Sequence, residues 1–146
     1  MLDKYNDLIK ICIPLDNEIG DGPQSETLWC IKRGIGKAEI NNIPCFCDIG
    51  FRDLIRYEMI DGINIYIETI VSINKSIHIS WEVDEEVDEE SIKNRWKEIC
   101  EYLYGLELDF EPWSPGFFVI SFPIEDDTED ILDIVEGCPV KLTPYL

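Results

Sequence analysis

Residues 77–104 read IHISWEVDEEVDEESIKNRWKEICEYLY, and within them a strand pattern gives way to a helix pattern. Residues 77–83 alternate apolar and polar side chains, which is typical of a strand with one buried face. Residues 84–90 are almost wholly acidic. From 91 to 104 the apolar side chains recur at the three- and four-residue spacing of an amphipathic helix. The stretch therefore predicts a strand, an acidic connection and a helix.

The chain before this stretch carries strand patterns that are separated by turn residues. Gly34-Ile35-Gly36 makes one tight connection, and Asp61-Gly62 is a dipeptide typical of a two-residue hairpin turn. Pro44 ends regular pairing because it has no N–H to donate. We therefore predict strands over residues 7–14, 26–33, 37–43, 51–60 and 63–73.

The chain after the first helix predicts one more strand and one more helix. Residues 106–115 have the composition of a loop. The apolar run 117–122 predicts a central strand that is buried on both faces. Asp127 or Thr128 caps the second helix. Gly137 ends that helix, and a short tail follows.

These elements place the chain in the α+β class. We expect hairpins in the N-terminal half to form a small barrel-like or open antiparallel sheet, and a β-α-β-α C-terminal half to follow. We expect one compact domain, 1–146, which can be subdivided into a strand-rich half, 1–76, and a β-α-β-α half, 77–146.

The charge balance narrows the class of partner. The chain has 31 acidic and 12 basic residues, which give a formal net charge of −19 at pH 7. Its hydrophobic fraction of 45% is that of a folded protein and not of a disordered acidic tail. Nucleic acids and anionic membranes both attract lysine and arginine, so we expect neither as a partner. A basic protein is the partner that this charge favours.

The cysteines and the histidine predict no metal, cofactor or catalytic site. Cys45 and Cys47 are separated by one residue, whereas a redox pair normally has two intervening residues. A zinc site needs two further ligands, and His78 is the only histidine. We expect the cysteines to pack as small hydrophobic side chains. Because the sequence has neither a signal-peptide pattern nor an apolar run of membrane length, we expect a cytoplasmic protein with reduced thiols.

The acidic connection is the predicted partner-binding site. Part of its charge is explained by capping of the following helix, since carboxylates favour a helix N-terminus. The remaining charge exceeds what capping requires. The residues assigned to this site are Glu82, Asp84, Glu85, Glu86, Asp88, Glu89 and Glu90.

Three short motifs carry a family resemblance. They are Glu26-Thr27-Leu28-Trp29, Asn42-Ile43-Pro44-Cys45-Phe46 and Asp53-Leu54-Ile55. Together they resemble the E-x-L-W, N-I-P-F and D-L signature of a family of uncharacterised bacterial proteins, from which this chain departs by having Cys45 before Phe46. The resemblance spans roughly residues 25–145 and implies a bacterial, cytosolic, stand-alone domain of unknown function. It also implies that Asn42 and Pro44 shape a turn.

Two functions fit these observations. The first is an acidic cytosolic binding protein without enzyme activity, an inhibitor of the immunity or antitoxin kind that neutralises a basic, nuclease-like toxin. The alternative is a small-molecule-binding or enzymatic domain with a pocket between the two halves, for which Asn42, Asp53, Arg56 and His78 are the candidate polar groups. We expect a monomer, or a dimer that forms through an apolar edge.

Overall fold

A computed structural model describes residues 7–15, 25–83 and 88–146. The chain divides into two compact units, Met1–Lys75 and Ser76–Leu146, which we name the barrel unit and the helical unit. The observed division after Lys75 and the predicted division after residue 76 differ by a single residue. Among the described residues, neither helix combines the length and the apolar character that crossing a membrane requires.

The strands of the barrel unit are β1 (Leu8–Pro14), β2 (Ser25–Lys32), β3 (Lys37–Ile40), β4 (Leu54–Ile60) and β5 (Ile63–Val71). The elements that follow are β6 (Asn74–Trp81), α1 (Glu89–Gly105), β7 (Asp109–Ser114), β8 (Phe117–Pro123), α2 (Thr128–Glu136) and β9 (Leu142–Tyr145). This arrangement confirms the α+β class and the strand-rich N-terminal half.

Strands β1 to β5 form a closed barrel in sequence order. Consecutive strands pair antiparallel, and a parallel pairing of β1 with β5 at Cys12 and Ile65 closes the barrel. Asp61 and Gly62 both have positive φ, as the predicted two-residue hairpin turn requires. Alternate side chains point inward and form the barrel core, because successive strand residues face opposite sides. The buried core residues are Ile11, Ile13, Leu28, Cys30, Ala38, Ile40, Ile49 and Ile55.

The helical unit contains a four-stranded sheet in the order β7-β8-β6-β9. Strand β8 is buried at every position from Phe118 to Phe122, which confirms the predicted central strand. Both helices bury apolar side chains in one core with β6, β8 and β9, so they cover the same face of this sheet. The core residues are Ile79, Trp81, Ile99, Leu103, Phe118, Ile120, Phe122, Ile131, Val135 and Leu142.

The helical unit has two strands that the sequence did not predict. Strand β7 lies within the predicted loop 106–115, and β9 lies within the C-terminal tail. The predicted β-α-β-α order is therefore corrected to β-α-β-β-α-β. Both new strands are at edges of the sheet and contain a proline, Pro112 or Pro144. Edge strands tolerate proline because one of their sides needs no ladder hydrogen bond, and that proline hides the strand pattern.

The loop between β3 and β4 is longer than predicted, because the two strands end at Ile40 and begin at Leu54. The buried carboxylate of Asp53, 1% exposed, fixes this loop. Its Oδ2 accepts a hydrogen bond from Gly50 N at 2.8 Å. Its Oδ1 accepts from Ile73 N at 2.8 Å and Asn74 N at 3.2 Å. These bonds compensate the cost of burying the carboxylate.

Gly50 is required by the same close packing. A Cβ atom at this position would overlap the carbonyl oxygen of Asn74. The side-chain Nδ2 of Asn74 also donates a hydrogen bond to the Phe51 carbonyl at 2.7 Å. The loop and the start of β6 are therefore held together by backbone contact as well as by the Asp53 carboxylate.

We predict that Asp53→Asn lowers the free energy of unfolding by about 2 kcal/mol, because an amide NH₂ would replace an acceptor oxygen and leave a buried backbone N–H unpaired. Asp48→Asn is the matched control, since Asp48 is exposed in the same loop, and it should change this free energy by less than about 0.5 kcal/mol. Equilibrium unfolding in urea measures both. Equal effects of the two variants would contradict the role given to Asp53.

Candidate functional site

The polar residues considered for a small-molecule or catalytic pocket have structural partners in the barrel unit. Asn42 Oδ1 accepts a hydrogen bond from Trp29 N at 2.6 Å. Asp53 accepts the three backbone bonds described above. Arg56 donates to Glu68 at 3.0 Å, and these residues are directly opposite each other in β4 and β5. These contacts fix backbone and strand positions and do not assemble a catalytic constellation.

His78 is the fourth of these candidates and lies on β6 of the helical unit. Its ring centroid is 6.3 Å from that of Trp113. The neighbouring residues Ile79 and Trp81 are buried in the helical core, whereas His78 is half-buried. His78 therefore borders the aromatic ring of Trp113.

One polar side chain in each of the three signature motifs, that of Glu26, Asn42 or Asp53, accepts hydrogen bonds from the backbone. Glu26 accepts from Cys45 N at 2.8 Å and from Phe46 N at 2.9 Å. Asn42 and Asp53 accept the backbone bonds given above. Each of the three motifs therefore has one side chain that fixes the loop of residues 41–53 or a strand beside it. In this chain the three motifs therefore help to hold a loop on the barrel.

The cysteine pair lies in this loop and not on a strand. Cys47 packs against the barrel core, and Cys45 is half-buried. Burial raises the pKa of the Cys47 thiol to about 12, with a smaller contribution from the nearby Glu26 carboxylate. Burial raises the pKa of Cys30 to about 12 as well. All six cysteines are free thiols, and the described residues contain no cluster of metal-ligating side chains.

The acidic segment, residues 82–90, leads from β6 to α1. Asp84, Glu85 and Glu86 lie outside the described residues. The four remaining carboxylates, those of Glu82, Asp88, Glu89 and Glu90, are exposed. The predicted site is therefore located at the start of α1, on the surface of the helical unit.

Asp88 is the N-cap of α1. Its Oδ1 accepts a hydrogen bond from Ser91 N at 2.7 Å, and this bond lowers the pKa of the Asp88 carboxyl. Glu89 and Glu90 occupy the first helical turn, where negative charge is favoured by the partial positive charge of the helix N-terminus. Asp127 caps α2 in the same way, with Asp130 completing a capping box.

An open cavity of about 430 Å³ lies beside the start of α1. We name it the aromatic groove. Its walls come from the end of β6, the first turns of α1 and the β7–β8 hairpin. The lining residues are Trp81, Ile92, Lys93, Trp96, Pro112, Trp113, Ser114, Pro115 and Phe117.

The groove is built from aromatic rings that contact one another. Trp81 and Trp96 are stacked, with ring centroids 6.3 Å apart and an interplanar angle of 16°. Trp113 and Phe117 meet edge to face at 5.9 Å. Trp81 is 7% exposed and Trp113 is 48% exposed, so the groove descends from a half-exposed indole to a buried one.

The acidic segment borders this groove. Glu82 directly follows Trp81, and its carbonyl accepts a hydrogen bond from Arg95 Nη1 at 3.0 Å, which ties the end of β6 to α1. Glu89 precedes Ile92 by three residues and Lys93 by four, so it lies on the same side of α1 as those groove residues. The carboxylates of Glu82 and Glu89 therefore lie along the edge of an apolar surface, and we name them the acidic rim.

The sequence pattern does not indicate the groove. Trp113 lines the groove and is half-exposed. The hydroxyl of Tyr102 donates to the carbonyl of Ile134 between the helices. Trp81 and Trp96 belong to the packed core of the helical unit and also line the groove. Three tryptophans around one acidic segment are the signal that could have indicated the groove.

Comparison with known proteins shows the fold alone. No protein-family model matches the chain, and no curated protein matches it. A crystal structure of a hypothetical protein from Neisseria gonorrhoeae is similar, with a TM-score of 0.62 over 93% of this chain and 91% of that chain. The sequence identity is 15%, at which a likeness establishes a shared architecture and not a shared activity. The resemblance to a family of uncharacterised bacterial proteins stays a prediction.

We expect the thiols of Cys30 and Cys47 to resist alkylation in the folded protein at about pH 8, because the thiolate is the reactive form and burial holds both pKa values at about 12.

The same shift should make the free energy of unfolding decrease as the pH rises from 9.0, the ordinary cysteine value, towards about 12, since the unfolded thiols ionise first.

Iodoacetamide labelling followed by peptide mass spectrometry measures the first effect, with and without urea. Labelling of Cys30 and Cys47 at equal rates in the native and unfolded protein would contradict this assignment. Urea unfolding at a series of alkaline pH values measures the second.

Proposed function

We propose that this protein binds a basic protein through the acidic segment and inhibits it, in the manner of an immunity or antitoxin protein. The observation that carries the proposal is the group of exposed carboxylates at the start of α1. The ion pairs of the described residues join Arg33 to Glu39 and Arg56 to Glu58 and Glu68, all in the barrel unit. None of those pairs uses a carboxylate of the acidic segment.

The nearby Arg95 of α1 does not neutralise this charge. Arg95 directs its guanidinium to the backbone carbonyl of Glu82 and not to a carboxylate. The whole chain carries a net charge of −19, so the local charge is added to a strongly negative background. Such a site attracts a basic surface over distances of up to about one Debye length, which is roughly 10 Å at 0.1 M salt.

A nuclease-like toxin has the chemistry that fits this site. An enzyme that binds phosphate groups carries lysine and arginine around its substrate cleft. An acidic inhibitor can cover that cleft, and electrostatic attraction accelerates the encounter. Binding through charge also protects the host cell early, because the association rate and not only the affinity determines how fast a toxin is neutralised.

The double variant Glu89→Gln, Glu90→Gln tests this function. We expect it to slow association with the basic partner by about threefold to tenfold at low salt, because steering by charge changes the on-rate. Neither substitution removes the Asp88 cap. The matched control is Glu125→Gln, Glu129→Gln, which makes the same charge change with exposed residues around the start of α2 and should have a much smaller effect.

The partner is first identified by capture of the proteins encoded beside this gene on the purified full chain, at about 50 mM and about 500 mM NaCl. We expect a basic protein to be retained at low salt and its activity to be inhibited. Stopped-flow or surface plasmon resonance then measures the rates for both double variants. If no neighbouring gene product is retained at low salt, or if the two double variants slow association equally, the proposal is wrong.

A further inference from the structure

We propose that the aromatic groove is the specific contact of this interface, and that it takes one large apolar or aromatic side chain from an extended, lysine- or arginine-rich segment of the partner. This inference rests on the proposed function, because it gives the same partner a second point of attachment. The groove then determines the affinity of the complex, and the acidic rim determines the rate at which the partner associates.

The first reason is the anatomy of the groove. Protein interfaces combine an apolar centre, often with tryptophan, and a charged rim that remains in contact with solvent. Here Trp96 and Trp113 line an apolar cavity, and Glu82 and Glu89 adjoin its lining residues in the chain and along α1. Two prolines, Pro112 and Pro115, restrict the backbone of the hairpin wall. The groove is thus formed before a partner arrives, which reduces the entropy lost on binding.

The second reason is an unpaired donor. The indole Nε1 of Trp81 is buried and has no hydrogen-bond partner among the described residues. A buried indole N–H normally has an acceptor, and leaving it unpaired carries a free-energy penalty. Trp81 lines the groove, and in the proposed complex a main-chain carbonyl of the inserted segment is the acceptor for this donor.

The third reason concerns charge. Lys93 is the charged side chain among the described lining residues. Glu89 stands four residues before it, at the spacing where a carboxylate and an ammonium group on a helix attract each other. Glu82, Asp88 and Glu90 remain exposed beside this pair. The rim therefore presents net negative charge to an incoming segment, and basic residues on both sides of an apolar side chain complement it. A small molecule would instead need several convergent polar groups for orientation, and the lining offers few.

Trp113→Ala is the informative variant, and Trp29→Ala is its matched control. Both tryptophans are about half-exposed, Trp113 at 48% and Trp29 at 45%. Trp29, however, lies on β2 of the barrel unit, where the Lys10 Nζ is 4.9 Å from the centroid of its ring. We expect Trp113→Ala to weaken affinity for the captured basic partner at least about tenfold through faster dissociation, with an unchanged salt dependence of association. Trp29→Ala should leave both quantities unchanged.

Short peptides test the groove without the natural partner. The ¹⁵N-labelled full chain is titrated with three unlabelled peptides: tryptophan between lysine pairs, serine between lysine pairs, and tryptophan between glutamate pairs. We expect the first peptide to shift the indole N–H signals of Trp81, Trp96 and Trp113 and not that of Trp29. The other two should cause much smaller shifts, because each lacks one of the required features.

The outcomes separate the two proposals. If a basic partner binds but Trp113→Ala and Trp29→Ala behave alike, the groove proposal is overturned and the proposed function stands. If no basic partner is captured but the lysine-flanked tryptophan peptide binds the groove, the proposed function fails and the groove is supported alone. If both tryptophan peptides bind equally, the groove is a site for small aromatic ligands, and the proposal of a basic segment is overturned.

Discussion

The buried carboxylate of Asp53 is the interaction on which the rest of the structure depends. It accepts hydrogen bonds from Gly50, at the end of the β3–β4 loop, and from Ile73 and Asn74, where β5 gives way to β6. One side chain therefore fixes the place where the chain leaves the barrel. Strand β6 starts at this point and continues into the sheet of the helical unit, where it lies between β8 and β9.

In the helical unit the same aromatic side chains serve the core and the groove. Trp96 stacks on Trp81 and meets Phe118 edge to face at 5.4 Å and Phe110 at 6.0 Å, so α1 is locked to the β7–β8 hairpin. The side chains at the open end of this cluster, above all Trp113, remain half-exposed. The rings of Trp81 and Trp96 are held by the packing behind them. The groove surface therefore results from the folding of the unit itself.

The acidic segment has two roles that the structure separates. Asp88 is used in folding, since its carboxylate caps α1, and Glu89 and Glu90 favour the helix N-terminus. None of this capping neutralises the carboxylates, which stay exposed and add to a net charge of −19. Such charge lowers stability through repulsion and increases the rate of encounter with a basic surface. Charge of this kind gives little shape specificity, which an apolar groove beside it can supply.

The sequence by itself determined the features that depend on near neighbours in the chain. The Asp61-Gly62 turn, the Asp88 and Asp127 caps, the central strand β8 and the acidic rim are all set by patterns a few residues long. Tertiary structure decided the rest. Closure of the barrel pairs Cys12 with Ile65, and the edge strands β7 and β9 are recognisable only beside their partners, because proline interrupts their patterns. Whether a tryptophan is core or groove depends on what covers it, and residues distant in sequence provide that cover.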